Sequence, residues 1–314
     1  MRRQEAAMGM GAGPADDARV RVPVATLWRD PALLRPVDCA AVAPGADISA
    51  WVAGLRPDEF LCDAVLTQLL LGERVRVTEV RPDGWVRVVA LEQPAGRLDP
   101  GGYPGWLPAR QLALGGEHPA GNPLVVGALR TDLHDAPDGL PVLAGVVLGT
   151  RLTAAGPARR GWLPVHVPGR AQPLWAAPGQ LAPVDPAPPP AARVLDVARR
   201  LRDTVYLWGG VSPAGIDCSG LVQVVWRRFG VRLPRDADDQ AAATRAVPLG
   251  TERPGDLYLF ARPGRPIHHI GIVSAEPGPG DDRRMLHACY VRRRVLEEPL
   301  PADRTATLVG VHRV

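Results

Sequence analysis

Cys218 sits where a thiol can be made nucleophilic. It follows a glycine-rich turn and opens the run Asp217-Cys218-Ser219-Gly220. Leu221, Val225 and Phe229 then recur at i, i+4 and i+8, one face of a helix, and Gly230 offers a stop. A thiol in the first turn of that helix meets unpaired backbone N–H groups and the positive end of the macrodipole. The expectation is therefore a depressed thiol pKa, on the order of 3.5–7.5 for a paired catalytic cysteine, with the sulfur reachable from solvent. Two imidazoles lie downstream in strand-type runs: His269, before Ile270-Gly271-Ile272-Val273, and His287, between Leu286 and Ala288. A helix bearing a thiol, packed on an antiparallel sheet bearing two histidines, can form a Cys–His pair with an orienting third group. Successive strand residues face opposite ways, so His268 should point away from His269, and Cys289 should share the His287 face as a packed thiol.

These side chains need a scaffold of turns and short strands. Pro254-Gly255 and Pro263-Gly264 read as turns, with Asp256 stabilising the first. The proline cluster at 185–192 reads as a spacer, separating the N-terminal side from the cysteine-bearing residues 193–314. Residues 1–18 read as a flexible tail. Between tail and spacer lies a degenerate repeat. Leu71-Gly72 is followed by Gly84-Trp85, and Leu148-Gly149 by Gly161-Trp162 at the same interval. Each copy then adds a second tryptophan, Trp106 or Trp175, and a Gln-Leu pair. The pattern predicts two copies of a strand-rich module, residues 19–116 and 117–184, with Trp85 and Trp162 filling their cores and a short helix inserted in the first copy near Ala46–Leu55.

The repeat resembles bacterial SH3-like domains, small β-barrels in which Gly102-Tyr103-Pro104-Gly105-Trp106 is a closing element. Residues 193–314 resemble the NlpC family of cell-wall cysteine peptidases. The likeness rests on Tyr206-Leu207-Trp208-Gly209-Gly210, Asp217-Cys218-Ser219-Gly220, Leu233-Pro234-Arg235, Pro254-Gly255-Asp256-Leu257, His269-Ile270-Gly271-Ile272 and His287-Ala288 together. It implies two SH3-like β-barrels followed by an α+β papain-like catalytic domain. By that resemblance Cys218 is the nucleophile, His269 its general base and His287 the orienting group. The Cys218 backbone N–H and the Tyr206 hydroxyl become the oxyanion donors. The implied reaction is hydrolysis of peptidoglycan stem peptides at the γ-D-glutamyl–diamino acid amide, with a free N-terminal L-alanine recognised beside the first SH3-like domain. An ammonium terminus needs carboxylate and hydroxyl acceptors, for which Asp217, Ser219, Tyr103 and Glu73 are the candidates. Asp217 serves equally well as a helix cap. Where related enzymes often have Arg-Asp-Ser, this chain has Arg235-Asp236-Ala237. One hydroxyl is missing, which leaves a strict requirement for the free alanine open. Arg235 itself reads as a structural ion pair ahead of a substrate carboxylate ligand.

Composition narrows the remaining classes. The chain has 314 residues, all 37 basic residues are arginine, and the formal charge is +4. The arginines are scattered except at Arg292–Arg294, which argues against nucleic acid as a partner. No apolar run approaches the ~20 residues of a membrane span. The absence of an apolar leader near Met1 favours a cytoplasmic protein, with a wall-associated one as the alternative. None of Cys39, Cys62, Cys218 and Cys289 forms a C-x-x-C pair, so no metal and no cofactor are expected, and Cys39 and Cys62 read as buried free thiols. A monomer acting on a muropeptide is the expectation. A non-catalytic wall-binding protein, or an acyl transferase or amidase on the same scaffold, remain the alternatives.

Overall fold

The computed structural model describes residues 17–115, 121–184, 187–278 and 282–314, so most of the expected tail lies outside the described residues. Its last two residues, Asp17 and Ala18, belong instead to the first strand. That strand, β1 (Asp17–Val20), joins β2 (Val24–Trp28), β3 (Val65–Leu70), β4 (Arg74–Val80), β5 (Trp85–Ala90), β6 (Tyr103–Pro108) and β7 (Leu112–Leu114) in a seven-stranded antiparallel sheet ordered β3-β2-β6-β5-β4-β1-β7. A second sheet uses β8 (Pro123–Val126), β9 (Arg130–His134), β10 (Pro141–Val147), β11 (Arg151–Ala154), β12 (Leu163–His166), β13 (Leu174–Ala176) and β14 (Leu181–Pro183), ordered β10-β9-β13-β12-β11-β8-β14. Raising every index of the first order by seven gives the second, so the sequence repeat is a duplicated fold. Its glycines are turn residues. Gly72 and Gly84 have φ of 86° and 85°, and Gly149 and Gly161 both have 83°, a region that strains any residue with a Cβ.

The insertion in the first sheet carries α1 (Cys39–Val42) and α2 (Ile48–Gly54). It also corrects the tryptophan assignment. Trp28 of β2 and Trp51 of α2 are the fully buried pair, with ring centroids 5.8 Å apart. Trp85 is only half-buried, whereas Trp162 is buried in the second domain as its position predicts. The second tryptophans support arginines, Arg81 over Trp106 and Arg159 over Trp175. Cys39 is exposed and Cys62 half-buried, and all four cysteines are free, so neither thiol of the first domain is a core residue.

The C-terminal part opens with α3 (Ala191–Arg200), which takes in the end of the expected spacer. The hairpin β15 (Val211–Ser212) and β16 (Gly215–Ile216) leads into α4 (Cys218–Arg227), followed by α5 (Ala237–Ala242). The six-stranded antiparallel sheet comprises β17 (Arg245–Val247), β18 (Leu257–Ala261), β19 (Ile267–Val273), β20 (Arg284–Cys289), β21 (Arg294–Pro299) and β22 (Leu308–Arg313), ordered β17-β22-β18-β19-β20-β21, with α6 (Ala302–Thr305) before its last strand. Every residue of α4 is buried. Gly230, at φ 86°, closes the helix as its sequence position predicts. Asp256 bonds the Arg253 N–H within its turn and pairs with Arg313.

The expected separation of the two halves does not hold. One apolar core runs from Val24, Trp28 and Val65 of the first sheet, past Val147 and Leu148 of the second, to Leu221, Val225 and Phe229 of α4. Both repeats therefore clamp the helix that carries the thiol. No helix among the described residues is long and apolar enough to cross a membrane.

Candidate active site

The local fold of the thiol follows from three glycines and an aspartate. Asp217 caps α4, accepting the Gly220 N–H at 2.7 Å, and its other oxygen accepts the Gly209 N–H at 2.8 Å. A Cβ at Gly220 would lie 2.2 Å from the Gly210 carbonyl oxygen, so the helix start and the preceding Gly-Gly turn can meet only without side chains. Cys218 is 8% exposed. Burial and the adjacent Asp217 carboxylate push its thiol up to about 12, against the opposing pull of the Ile270 and Ser219 N–H groups and of Arg235. This corrects the expected depressed pKa and open sulfur. The helix N-terminus is present, but loss of water and a neighbouring negative charge outweigh it. The Tyr206 hydroxyl hydrogen-bonds the sulfur, and burial raises that phenol well above its ordinary range.

The sulfur meets the β19 backbone at Ile270, the residue after His269. His269 is buried against the Phe260 ring, centroids 5.5 Å apart, whereas His268 faces outward as strand alternation requires. His269 Nε2 lies 2.7 Å from His287 Nδ1, and His287 Nε2 lies 3.1 Å from Glu298 Oε1. Gly271 makes room for this chain, since a Cβ there would sit 3.1 Å from the His287 Cβ. Burial lowers the pKa of both histidines, His269 most, so both rings are neutral. The tautomers then follow. A carboxylate only accepts, so His287 holds its proton on Nε2 and presents a lone pair at Nδ1. His269 must donate from Nε2 to that lone pair, which leaves its Nδ1 basic. The arrangement can take a proton from a neutral thiol through one defined atom and spread the resulting positive charge toward Glu298.

Sequence reading missed Glu298, because its partner is fixed by strand register and not by spacing. The hydrogen bond to His287 holds its carboxyl below the ordinary glutamate range. Glu298→Gln keeps an acceptor but removes the charge. It should lower kcat about tenfold, the difference between a charge-assisted and a neutral hydrogen bond. It should also move the acid limb of kcat/KM to lower pH, since Glu298 raises the His287 pKa. A purely structural glutamate would leave that limb in place.

The four residues expected to bind the substrate amine separate. Asp217 is bound by Arg235 as well as by two backbone N–H groups. The Ser219 hydroxyl accepts from Arg235 at 2.8 Å. Glu73 is buried and spent elsewhere, on Arg227 at 2.8 Å, the Leu70 N–H at 3.0 Å and Gln93 at 3.1 Å. These three are structural. Tyr103 remains at the interface with the catalytic domain, where its hydroxyl donates to Asp236 Oδ2 at 3.2 Å. Burial raises the pKa of the Tyr103 phenol and, less strongly, that of the Asp236 carboxyl. Arg235 is a structural ion pair, as expected. It is 1% exposed and also reaches Thr67 Oγ1 of the first sheet at 2.8 Å.

A near-buried thiol at a helix start beside an imidazole chain on an antiparallel sheet, joined to two SH3-like domains, defines a cysteine peptidase. Residues 203–309 match the NlpC/P60 family, and residues 58–112 match the bacterial dipeptidyl-peptidase SH3 domain. The chain is 31% identical over 271 residues to the γ-D-glutamyl-L-lysine dipeptidyl-peptidase of Bacillus subtilis (strain 168), covering 84% of this chain and 87% of that protein. It is 29% identical to the protein of the same name from Bacillus cereus (strain ATCC 10987 / NRS 248), covering 90% and 86%. The crystal structure of an NlpC/P60 family protein from Bacillus cereus ATCC 10987 superposes with a TM-score of 0.81 at 27% identity, covering 95% of this chain and 99% of that one. The chain belongs to the NlpC/P60 family. It is a cysteine-type peptidase acting on peptidoglycan, related to the γ-D-glutamyl-diamino-acid endopeptidases. This kinship overturns the cytoplasmic expectation. The family's enzymes act on the cell wall and are typically secreted or surface-associated.

Proposed function

We propose that the enzyme hydrolyses the γ-D-glutamyl–diamino acid amide of short stem peptides bearing a free N-terminal amine. In this reading Cys218 attacks the γ-carbonyl as its proton passes to His269 Nδ1, and His287 and Glu298 stabilise the imidazolium. The Tyr206 hydroxyl and the Cys218 N–H receive the oxyanion, and His269 returns the proton to the leaving amine. Water then cleaves the thioester. The observation that supports a terminal amine is the Tyr103–Asp236 pair at the domain interface. A carboxylate and a hydroxyl, partly withdrawn from water, are what an ammonium group requires.

The test is incubation with L-Ala-γ-D-Glu-L-lysine and L-Ala-γ-D-Glu-diaminopimelate, with and without an N-acetyl cap. Release of L-Ala-D-Glu from the uncapped peptides supports the reading. Equal rates on capped peptides remove the amine from it. Transfer products that outrun hydrolysis when amines are added would make the enzyme a transferase. Tyr103→Phe should raise KM for uncapped peptides roughly 10-fold or more, the worth of one hydrogen bond to a charged group, and leave capped peptides unchanged. An equal rise for both would remove Tyr103 from amine recognition.

A further inference from the structure

We propose that His287, Cys289 and Glu298 form a zinc site whose occupation switches the imidazole chain off; the switch rests on the assignment of His269 Nδ1 as the base. The three side chains offer one nitrogen, one sulfur and one oxygen, all within 4.8 Å of one another. His287 and Cys289 are alternate residues of β20, and Glu298 reaches the same face from β21, where it pairs with Met285. Zinc takes such a mixed set at about 2.0–2.3 Å in a tetrahedron. Closing the cluster onto a metal therefore needs side-chain shifts of about an ångström. A metal-ligating histidine is usually fixed through its other ring nitrogen, and His287 Nδ1 is already held by His269 at 2.7 Å. The Arg292 N–H points at the Cys289 sulfur from 3.4 Å and holds it in place on the face of β20 that carries His287. The Glu298 side chain is 19% exposed, giving an approach from solvent and a place for a fourth, water ligand.

The consequence for the site is a reversal of hydrogen-bond direction. Zinc on His287 Nε2 takes the lone pair of that atom, so the neutral ring carries its proton on Nδ1. It then donates to His269 Nε2, and the His269 proton moves to Nδ1, the atom that must otherwise accept from Cys218. Each ring holds one proton before and after, and the only proton released is that of the Cys289 thiol, lost to solvent as the zinc–sulfur bond forms. The metal thus blocks the base without touching the nucleophile.

Cobalt(II), a spectroscopic stand-in for zinc, separates this site from the Cys218–His269 pair. Added to Cys218→Ala protein, one equivalent should give a thiolate-to-cobalt charge-transfer band that zinc displaces. The band should vanish in Cys218→Ala/Cys289→Ser and persist, at weaker affinity, in Cys218→Ala/Glu298→Gln. Zinc should inhibit the intact enzyme, and the concentration for half-inhibition should rise at least about tenfold in Cys289→Ser, measured against that variant's own metal-free rate. No band in Cys218→Ala, or an unchanged band after Cys289→Ser, overturns the site. A filled site with undiminished hydrolysis overturns the switch. An enzyme that fails to cleave the stem peptide with or without zinc refutes the proposed function, while the cobalt band still decides the site.

Discussion

Replacing Cys218 with alanine should abolish cleavage of the stem peptide, with a loss on the order of 10⁵-fold or more, as removal of a covalent nucleophile does in other hydrolases. The more discriminating result is the behaviour of the thiol before substrate arrives. With the sulfur pushed up to about 12 and the His269 imidazole held well below its usual 6.5, the resting pair is neutral thiol and neutral imidazole. Alkylation of Cys218 by iodoacetamide, followed on the peptide that carries it so that the exposed Cys39 does not contribute, should therefore climb about tenfold per pH unit through the neutral range, because only the scarce thiolate reacts. A thiolate–imidazolium pair would instead give a reactive plateau across mildly acidic pH. The pH profile of kcat/KM should agree. A His269 acting as the proposed base works only when unprotonated, and its lowered pKa keeps it so, so activity should stay level as pH falls through 6.5 and decline only well below. An alkylation plateau in mild acid, or an acid limb at or above 6.5, would mean that the site is an ion pair and that burial does not govern it.

The neutral pair marks where sequence reading stops. The helix start, the imidazole-bearing strands, the outward turn of His268 and the duplicated module were legible because each rests on local chemistry: a cap, a strand alternation or a glycine at positive φ. The thiol pKa was not, because water is excluded from Cys218 by packing around α4, and the helix N-terminus is the smaller influence once Asp217 is counted. Glu298 is joined to His287 only by the register of β20 against β21, and no spacing rule contains that register. Glu73 and Asp217 are carboxylates that looked available in the chain and are spent in the fold on Arg227 and Arg235. Glu73 follows the repeated Leu-Gly word of the first copy. Gly149, in the same word of the second copy, gives its carbonyl to Arg227 Nε at 2.9 Å, so both repeats hold the far end of the catalytic helix.

The near end of that helix depends on Arg235, and Arg235→Ala should cost about 3–5 kcal/mol of stability in chemical denaturation, the usual penalty for stripping one partner from a buried pair. The loss exceeds that of an ordinary ion pair because one guanidinium does three jobs. It neutralises Asp217, satisfies the Ser219 hydroxyl and bonds Thr67 Oγ1 of the first SH3-like domain. Asp217 left alone would keep an unpaired buried charge beside the Gly220 N–H that fixes the first turn, so hydrolysis should fall together with stability. Lysine cannot restore either property, since a single ammonium lacks the planar fork that spans all three partners. Thr67→Val tests the interdomain bond alone and should cost only about 1 kcal/mol. Removing both charges with Arg235→Met and Asp217→Asn should recover part of the stability lost in Arg235→Ala, because no lone charge then stays buried. If Arg235→Ala instead unfolds within about 0.5 kcal/mol of wild type, Asp217 finds water without it, and the coupling of the helix cap to the first SH3-like domain is refuted.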